Sequence, residues 1–414
     1  MLPHVKKNHP GHKDRGPDIK ECTMGKTVSK LILLMITGIF FLPVVTFGEM
    51  DMDYTDDGFR IKTDDYWIEF GGTLMWDVDS AGDVFRDAED DDDAWQTHSE
   101  LRRARLNIKA KIADNWKAKL QVEFAEDDAS DRVKDAYVKY SGWQIMDILI
   151  GQDKEPFGLE AMTSSKNLSF IERSMVSDAF KPGRNIGILL NGNMDNLIWQ
   201  VGVYEAQDRE DDGDTYAVSG RLAVVPWKTD TGFFHLGMSG SYRDFDGEEF
   251  EIKESAEIHT ADNIIYSDEI DTDHLLLYGI ETAFCMGPLS FQAEYMLADI
   301  SANEKDDDVA FDGYYLSASW FLTGETRPFG NGVWERVKPE SAYGAWELVT
   351  RYSCLDAAEN GQGTSADTYT LGVNWHINSH VRVMTDYMHL WLTDESTDTK
   401  TTGDAVSFRV QCVF

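Results

Sequence analysis

From residue 103 to residue 112, polar and apolar positions alternate without a break. Arg103, Arg105, Asn107, Lys109 and Lys111 share one parity, and Ala104, Leu106, Ile108, Ala110 and Ile112 share the other. Side chains of a β-strand point to opposite faces with a period of two, so this stretch reads as a strand with one cationic and one apolar face. In a soluble protein the apolar face would meet a core. In a membrane barrel it would meet lipid, and the charged face would line water. The pattern recurs. Trp116, Ala118, Leu120, Val122 and Phe124 alternate with Lys117, Lys119, Gln121 and Glu123. Val406, Phe408, Val410, Cys412 and Phe414 alternate with Ser407, Arg409 and Gln411.

The repeated theme predicts strands near 65–77, 99–112, 115–126, 132–141, 145–153, 184–192, 196–206, 215–226, 231–243, 274–286, 288–300, 310–323, 342–354, 366–376, 380–393 and 403–414. That is about sixteen, an even number, as single-chain bacterial barrels require. The connectors fall into two classes. Very short ones lie at 113–114, 142–144, 192–196, 287–288 and 378–379. Longer, acidic ones lie at 87–93, 126–131, 208–214, 244–273, 304–308 and 394–404. Short turns on one side and long loops on the other are the habit of an outer-membrane barrel. One connector, 324–341, is long yet falls on the short-turn side, and the pattern supplies no reason for it. Trp67, Trp76, Trp116, Tyr140, Trp199, Trp227, Tyr242, Trp391 and Phe414 lie near strand ends, as interfacial girdles do. The predicted class is all-β: a transmembrane antiparallel barrel.

Ahead of the barrel, residues 31–47 form the single long apolar run, preceded by Lys26 and Lys30 and closed by Gly48. This reads as a signal peptide, so 1–48 is assigned as N-terminal extension and signal peptide and 49–414 as the barrel domain. Residues 1–23 fit no targeting pattern, and Met24 is the expected start. The chain has 414 residues and a formal net charge of -36. Such acidity excludes a nucleic-acid partner on electrostatic grounds. Cys22, Cys285, Cys354 and Cys412 have neither disulfide nor zinc spacing and read as small apolar filler.

Residues 154–184 break the regular spacing. They form the third outer loop by count and mix apolar residues with Lys154, Lys166, Arg173, Lys181 and Arg184. Such a loop is expected to fold into the barrel and narrow it. The segments LRRARL (101–106), KDAYVKY (134–140), GQDKEPFGLEAMTSSKNLSFIERS (151–174), FKPGRNIG (180–187) and GAWELVTRYS (344–353), with the strand ending in Phe414, resemble the phosphate-selective porins O and P. The resemblance spans nearly all of the chain after residue 48, and its 151–187 block is the most specific part. It implies a sixteen-stranded barrel, trimeric, in the outer membrane of a Gram-negative bacterium, with the third loop folded inward. It also implies guidance of anions such as phosphate along a ladder of arginines and lysines.

Strand parity independently places Arg103, Arg105, Lys109, Lys111, Lys117, Lys119, Arg221, Arg243, Arg351 and Arg409 on the inward face. Basic groups in a narrow passage raise the local concentration of anions. Arginine also offers paired donors that match phosphate. Any one of these cations can instead pair with an inward acid such as Glu123, Glu347 or Asp386. Arg102 falls on the lipid parity and is expected at the rim. The acidic outer loops oppose anion entry, but charges farther than about 8 Å are screened at physiological salt, so the wall governs. Those loops also offer a place for divalent cations. The expected partners are small inorganic anions, outer-membrane lipid and two further copies of the chain, with no nucleic acid.

No enzyme, metal site or cofactor is expected. Asp208, Glu210, Asp212 and Gly213 resemble the start of an EF-hand, but Ser219 stands where its closing glutamate belongs. Gly361, Gly363 and Ala366 match a dinucleotide fingerprint by letter only. His235 and Ser239 share a strand face without a third group to orient them. A non-selective, cation-permeable or sugar-permeable channel of the same fold stays open at this point, as does a barrel enzyme or adhesin.

Overall fold

The computed structural model describes residues 50–86, 95–126, 131–194, 196–205, 215–303 and 308–414. The region assigned as signal peptide and the EF-hand-like acids at 208–213 lie outside the described residues. A hairpin, β1 (Asp51–Thr55) and β2 (Gly58–Lys62), comes first. The first nine barrel strands are β3 (Trp67–Ala81), β4 (Gln96–Ala113), β5 (Trp116–Glu123), β6 (Val133–Tyr140), β7 (Asp147–Lys154), β8 (Arg184–Met194), β9 (Leu197–Glu205), β10 (Tyr216–Thr229) and β11 (Gly232–Phe250). Two-residue strands β12 (Lys253–Glu254) and β13 (Ile265–Tyr266) lie in the next outer loop. Then come β14 (Ile270–Met286), β15 (Leu289–Ala302) and β16 (Val309–Phe321). The short β17 (Phe329–Gly330) and β18 (Val333–Trp334) precede β19 (Ala345–Asp356), β20 (Thr364–His376), β21 (Val381–Asp394) and β22 (Thr399–Val413). Every strand the alternation predicts is present, within about four residues at its ends, except that β11 runs on to Phe250, seven residues past its expected end.

Pairing is antiparallel throughout, and β22 returns to β3 from Ala405↔Ala81 to Val413↔Thr73. Sixteen strands therefore close, leaving no edge whose backbone groups would face lipid unpaired. At the seam Phe414 exchanges backbone hydrogen bonds with Gly72 at 2.6 and 3.1 Å. A Cβ on Gly72 would come within 2.3 Å of the Phe414 ring. Gly71, on the opposite face, plays the same part inside. A Cβ there would sit 1.8 Å from the carbonyl oxygen of Asp57, in the β1–β2 turn. The paired glycines let the terminal aromatic lie outside and the hairpin turn lie inside at the same height.

Outward positions carry the lipid face: Trp76, Trp116, Trp227, Leu236, Ile280, Leu316 and Trp391 are all exposed. Trp67 departs from the expected girdle. It lies opposite Lys111, on the inner face, with the Arg60 guanidinium 5.0 Å from its ring.

Three connectors enter the barrel. The third outer loop carries short helices at Leu159–Met162 and Met175–Phe180, with Phe157, Leu159, Met175, Val176 and Phe180 buried. The loop after β11, expected to be simply acidic, buries Ile252, Ile258, Ile264 and Ile265 against inward Leu275, Leu277, Ile300 and Leu355. Each such side chain contributes roughly 1.5–3 kcal/mol on burial. The unexplained 324–341 connector inserts from the periplasmic end. Trp334 is fully buried, its Nε1 donates to Gln292 at 2.5 Å, and Phe329 stacks on Phe233 with centroids 4.2 Å apart. Its length is that of an internal plug, because an aromatic cluster needs a dry surface to bury against.

Candidate functional site

The third loop is fastened to one side of the barrel. The backbone N–H groups of Leu159 and Glu160 donate to Glu294 on β15, both at 2.7 Å. Ile171 N–H donates to Asp386 on β21 at 2.8 Å, and Arg382 donates to the Leu168 carbonyl at 2.6 Å. Arg409 binds Asp77 through two bonds, at 2.7 and 2.5 Å, and Glu172 of the loop at 2.6 Å. Arg351 reaches Glu257, from the loop after β11, at 2.5 Å. Two cavities along this wall measure only about 10 and 20 Å³, room for a water apiece.

The candidate cations therefore separate into two groups. Arg221, Arg243, Arg351 and Arg409 face inward but are at most 4% exposed. Arg221 is held by Glu281 at 2.5 Å and Arg243 by Glu155 at 2.9 Å. Arg103 is also dry and lies 3.5 Å from Glu172. These groups are structural ties, in arrangements where the carboxylate offsets the cost of burying a charge.

The wall made by β4 to β8 is different. Arg105, Lys109, Lys111, Lys119, Lys139 and Arg184 keep 13–31% of their side-chain surface in contact with solvent, and Lys117 is exposed. Lys109, Lys111 and Lys139 pair with solvent-accessible acids, Asp57, Asp114 and Asp147, whereas Arg105, Lys119 and Arg184 have their acids beneath them. Glu123 takes Arg105 at 2.7 Å, and Asp135 takes Lys119 at 2.5 Å and Arg184 at 2.9 Å, with both carboxylates at most 4% exposed. Across strands the register aligns Lys111, Lys117 and Lys139 in one row and Lys109 with Lys119 in the next. Like charges directly opposite on neighbouring strands are destabilising. Lys111 has only Asp114, at 3.7 Å, and Lys117 has no carboxylate partner among the described residues.

The third-loop cations divide in the same way. Lys154 donates to the carbonyls of Ala161, Met162 and Thr163, and Arg173 to those of Glu160 at 3.1 Å and Thr163 at 2.9 Å. Neither meets a carboxylate there; both are caged by loop carbonyls beside Arg105, whose Nη1 donates to Ser165 at 3.2 Å. Lys166 reaches Asp57 at 2.8 Å. Lys181 pairs with Asp178 and faces solvent, away from this group.

Sequence reading misplaced Arg102. Between Met75↔Arg103 and Asp77↔Glu100, β4 carries one extra residue. This bulge turns Arg102 inward, where it meets Glu172 at 2.9 Å. Around Glu172, burial opposes ionisation, but the guanidinium groups of Arg102, Arg103 and Arg409 hold its carboxyl well below the usual range. Lys139 was also missed, although Asp135, Tyr137 and Lys139 alternate as clearly as the neighbouring strands do. His235 bonds Glu281 at 2.7 Å, while Ser239 accepts from Gly158 N–H, so the two have separate partners. Cys285, Cys354 and Cys412 are free thiols.

The family model for phosphate-selective porins O and P matches residues 68–414. Porin O of Pseudomonas aeruginosa is 26% identical over 442 aligned positions, covering 96% of this chain and all of that protein. Among solved structures, the anion-selective porin of Comamonas acidovorans superposes with a TM-score of 0.53 at 12% identity, over 84% of this chain and 100% of that one. A trimeric form of OmpT from Vibrio cholerae gives 0.52 at 12% identity, over 85% and 100%. The chain belongs to the phosphate-selective porin O and P family, channels of the Gram-negative outer membrane.

Proposed function

We propose that this porin is a passive channel preferring anions, phosphate among them, and that solutes travel along the solvated face of β4 to β8. The observation that carries this reading is the lysine arrangement Lys109–Lys119 above Lys111–Lys117–Lys139. Facing like charges across strands costs stability. Lys117 has no carboxylate partner among the described residues, Lys111 has Asp114 only at 3.7 Å, and Asp135 is tucked under Lys119, so water meets these ammonium groups first. A multivalent oxyanion passing the row exchanges part of its hydration for these donors. Low-dielectric walls on both sides then strengthen the attraction. Above the rows, Arg105 and Arg184 continue the basic surface to the third loop. Arg243, Arg351 and Arg409 act on selectivity only indirectly, by keeping that loop in place, and Arg221 by holding the periplasmic connector at the Gly332 carbonyl. Assembly as a homotrimer is part of the proposal, supported by the trimeric form of OmpT.

Purified protein in a planar bilayer under a salt gradient tests the reading. The reversal potential is expected to have the sign of an anion-preferring pore. A cation-preferring sign, or no conductance, would overturn it.

A further inference from the structure

The turn of the N-terminal hairpin carries Asp56 and Asp57, and three cations from three separate elements converge on Asp57. Lys109, on the inner face of β4, reaches its carboxylate at 2.7 Å. Lys166, from the third loop, reaches it at 2.8 Å. Arg336, from the periplasmic connector, reaches it at 3.2 Å. Lys109 also touches Glu69, at 3.3 Å. Burial works against the charge on Asp57, yet the ammonium groups of Lys166 and Lys109 hold the carboxyl well below its usual range. The group is not sealed off. Asp57 retains 40% of its side-chain exposure, Lys109 31% and Lys166 22%.

The seat of this turn is built. Gly71 gives the Asp57 backbone room against β3, and Gly58, at φ +143°, has no space for a Cβ beside the Phe70 carbonyl. Thr55 donates to Glu69 at 2.9 Å, and Arg60 grips the same carboxylate at 2.6 Å. A carboxylate is thus delivered, on a short tether, into a trio of cations on the periplasmic side of the solvated basic face.

We propose that Lys109, Lys166 and Arg336 form an oxyanion-binding site, and that Asp57 is its tethered competitor, which a permeating anion must displace. The proposal rests on the anion-path reading above. Its physical content is a competition. When a site is mostly filled by an internal ligand, the apparent dissociation constant of a free ligand rises by the inverse of the vacant fraction. Displacement of Asp57 also removes one of the links between the third loop and the connector, which stay joined through Asn167 to Trp334 and Arg327.

The test is the block of chloride current by inorganic phosphate in planar bilayers, at low salt so that screening is weak. Asp57→Asn is expected to lower the half-blocking phosphate concentration by about tenfold while the channel stays anion-preferring. Asp56→Asn removes a carboxylate paired with Lys338, outside the trio, and is expected to shift that concentration by less than about twofold. In the unaltered protein, saturating phosphate is expected to speed amide hydrogen exchange at residues 55–58. This measurement needs no variant to fold. An anion-preferring Asp57→Asn channel with unchanged phosphate block, or exchange at 55–58 that phosphate leaves unmoved, overturns the competitor role alone. An unaltered channel that prefers cations overturns the anion path, and the competitor with it.

Discussion

On β14 to β22 the inward arginines are dry, and each is spent on holding a loop. On β4 to β8 Arg103 is dry, but Arg105, Lys109, Lys111, Lys117, Lys119, Lys139 and Arg184 stay wet, and the acids that take Arg105, Lys119 and Arg184 are buried. Arg409 and Lys119 show the contrast. Arg409 is 0% exposed and ties Asp77, opposite it on the neighbouring strand, to Glu172 of the third loop. Lys119 is 23% exposed above an Asp135 that is 4% exposed. Both residues satisfy the same sequence pattern, a cation on the parity opposite the apolar face. What separates them is the third loop, which leans on one wall and leaves the other to solvent. A basic inward residue is therefore a stability element where a loop covers it and a transport element where none does.

The largest expected effect breaks the dry side. Arg409→Gln leaves Asp77 buried without its cation, Glu172 keeping Arg102 and Arg103, and should cost about 3–5 kcal/mol. Lys117→Gln on the wet side should change stability by no more than about 0.5 kcal/mol. Denaturant unfolding in detergent or lipid checks both, and equal losses would erase the distinction between the walls. A second, smaller effect sharpens the wet side. Reversing Lys117 and Lys119 to glutamate should cut anion preference roughly tenfold at low ionic strength, and less as salt rises. Unchanged selectivity would show that solutes take another course.

The smallest effect concerns the loop over the dry half. Burial, reinforced by Asp178, pushes the Glu254 carboxyl up to about 8. Its folded value lies above its unfolded value, near 4.5. The linked stability is therefore full below about pH 4.5 and is lost as pH rises through about 8. Amide exchange at 251–269, corrected for intrinsic rates, should be faster at about pH 9 than at about pH 6. The solvated wall should show no matching change, and identical pH responses on both sides would count against this local origin.

How much was legible follows from particular residues. Alternation at 103–112 and 116–124 located β4 and β5, because a barrel strand separates lipid from lumen residue by residue. The bulge that turns Arg102 inward was not legible, since one inserted residue reverses parity without altering composition. Leu275, Leu276 and Leu277 did carry a signal. Three consecutive apolar residues break the alternation, and here they mean that the inner face is also dry. The 324–341 connector had its signal in Phe329, Val333 and Trp334, which are too apolar for a solvated turn. Nothing local in Asp56 and Asp57 told of Lys109, Lys166 and Arg336, which come from three distant parts of the chain.

The sequence by itself determined the strands, their inward and outward faces wherever no bulge intervenes and Trp67 aside, and the alternation of short and long connectors. These depend on a period of two and on the solvent each face meets, and both are local. Only the tertiary structure decided which inward charges touch water. That depends on where the third loop, the loop after β11 and the periplasmic connector come to rest, and on which carboxylates they bring with them. A charge is worth little to a passing anion when an acid and a dry wall already enclose it, and enclosure is a property of the assembled barrel.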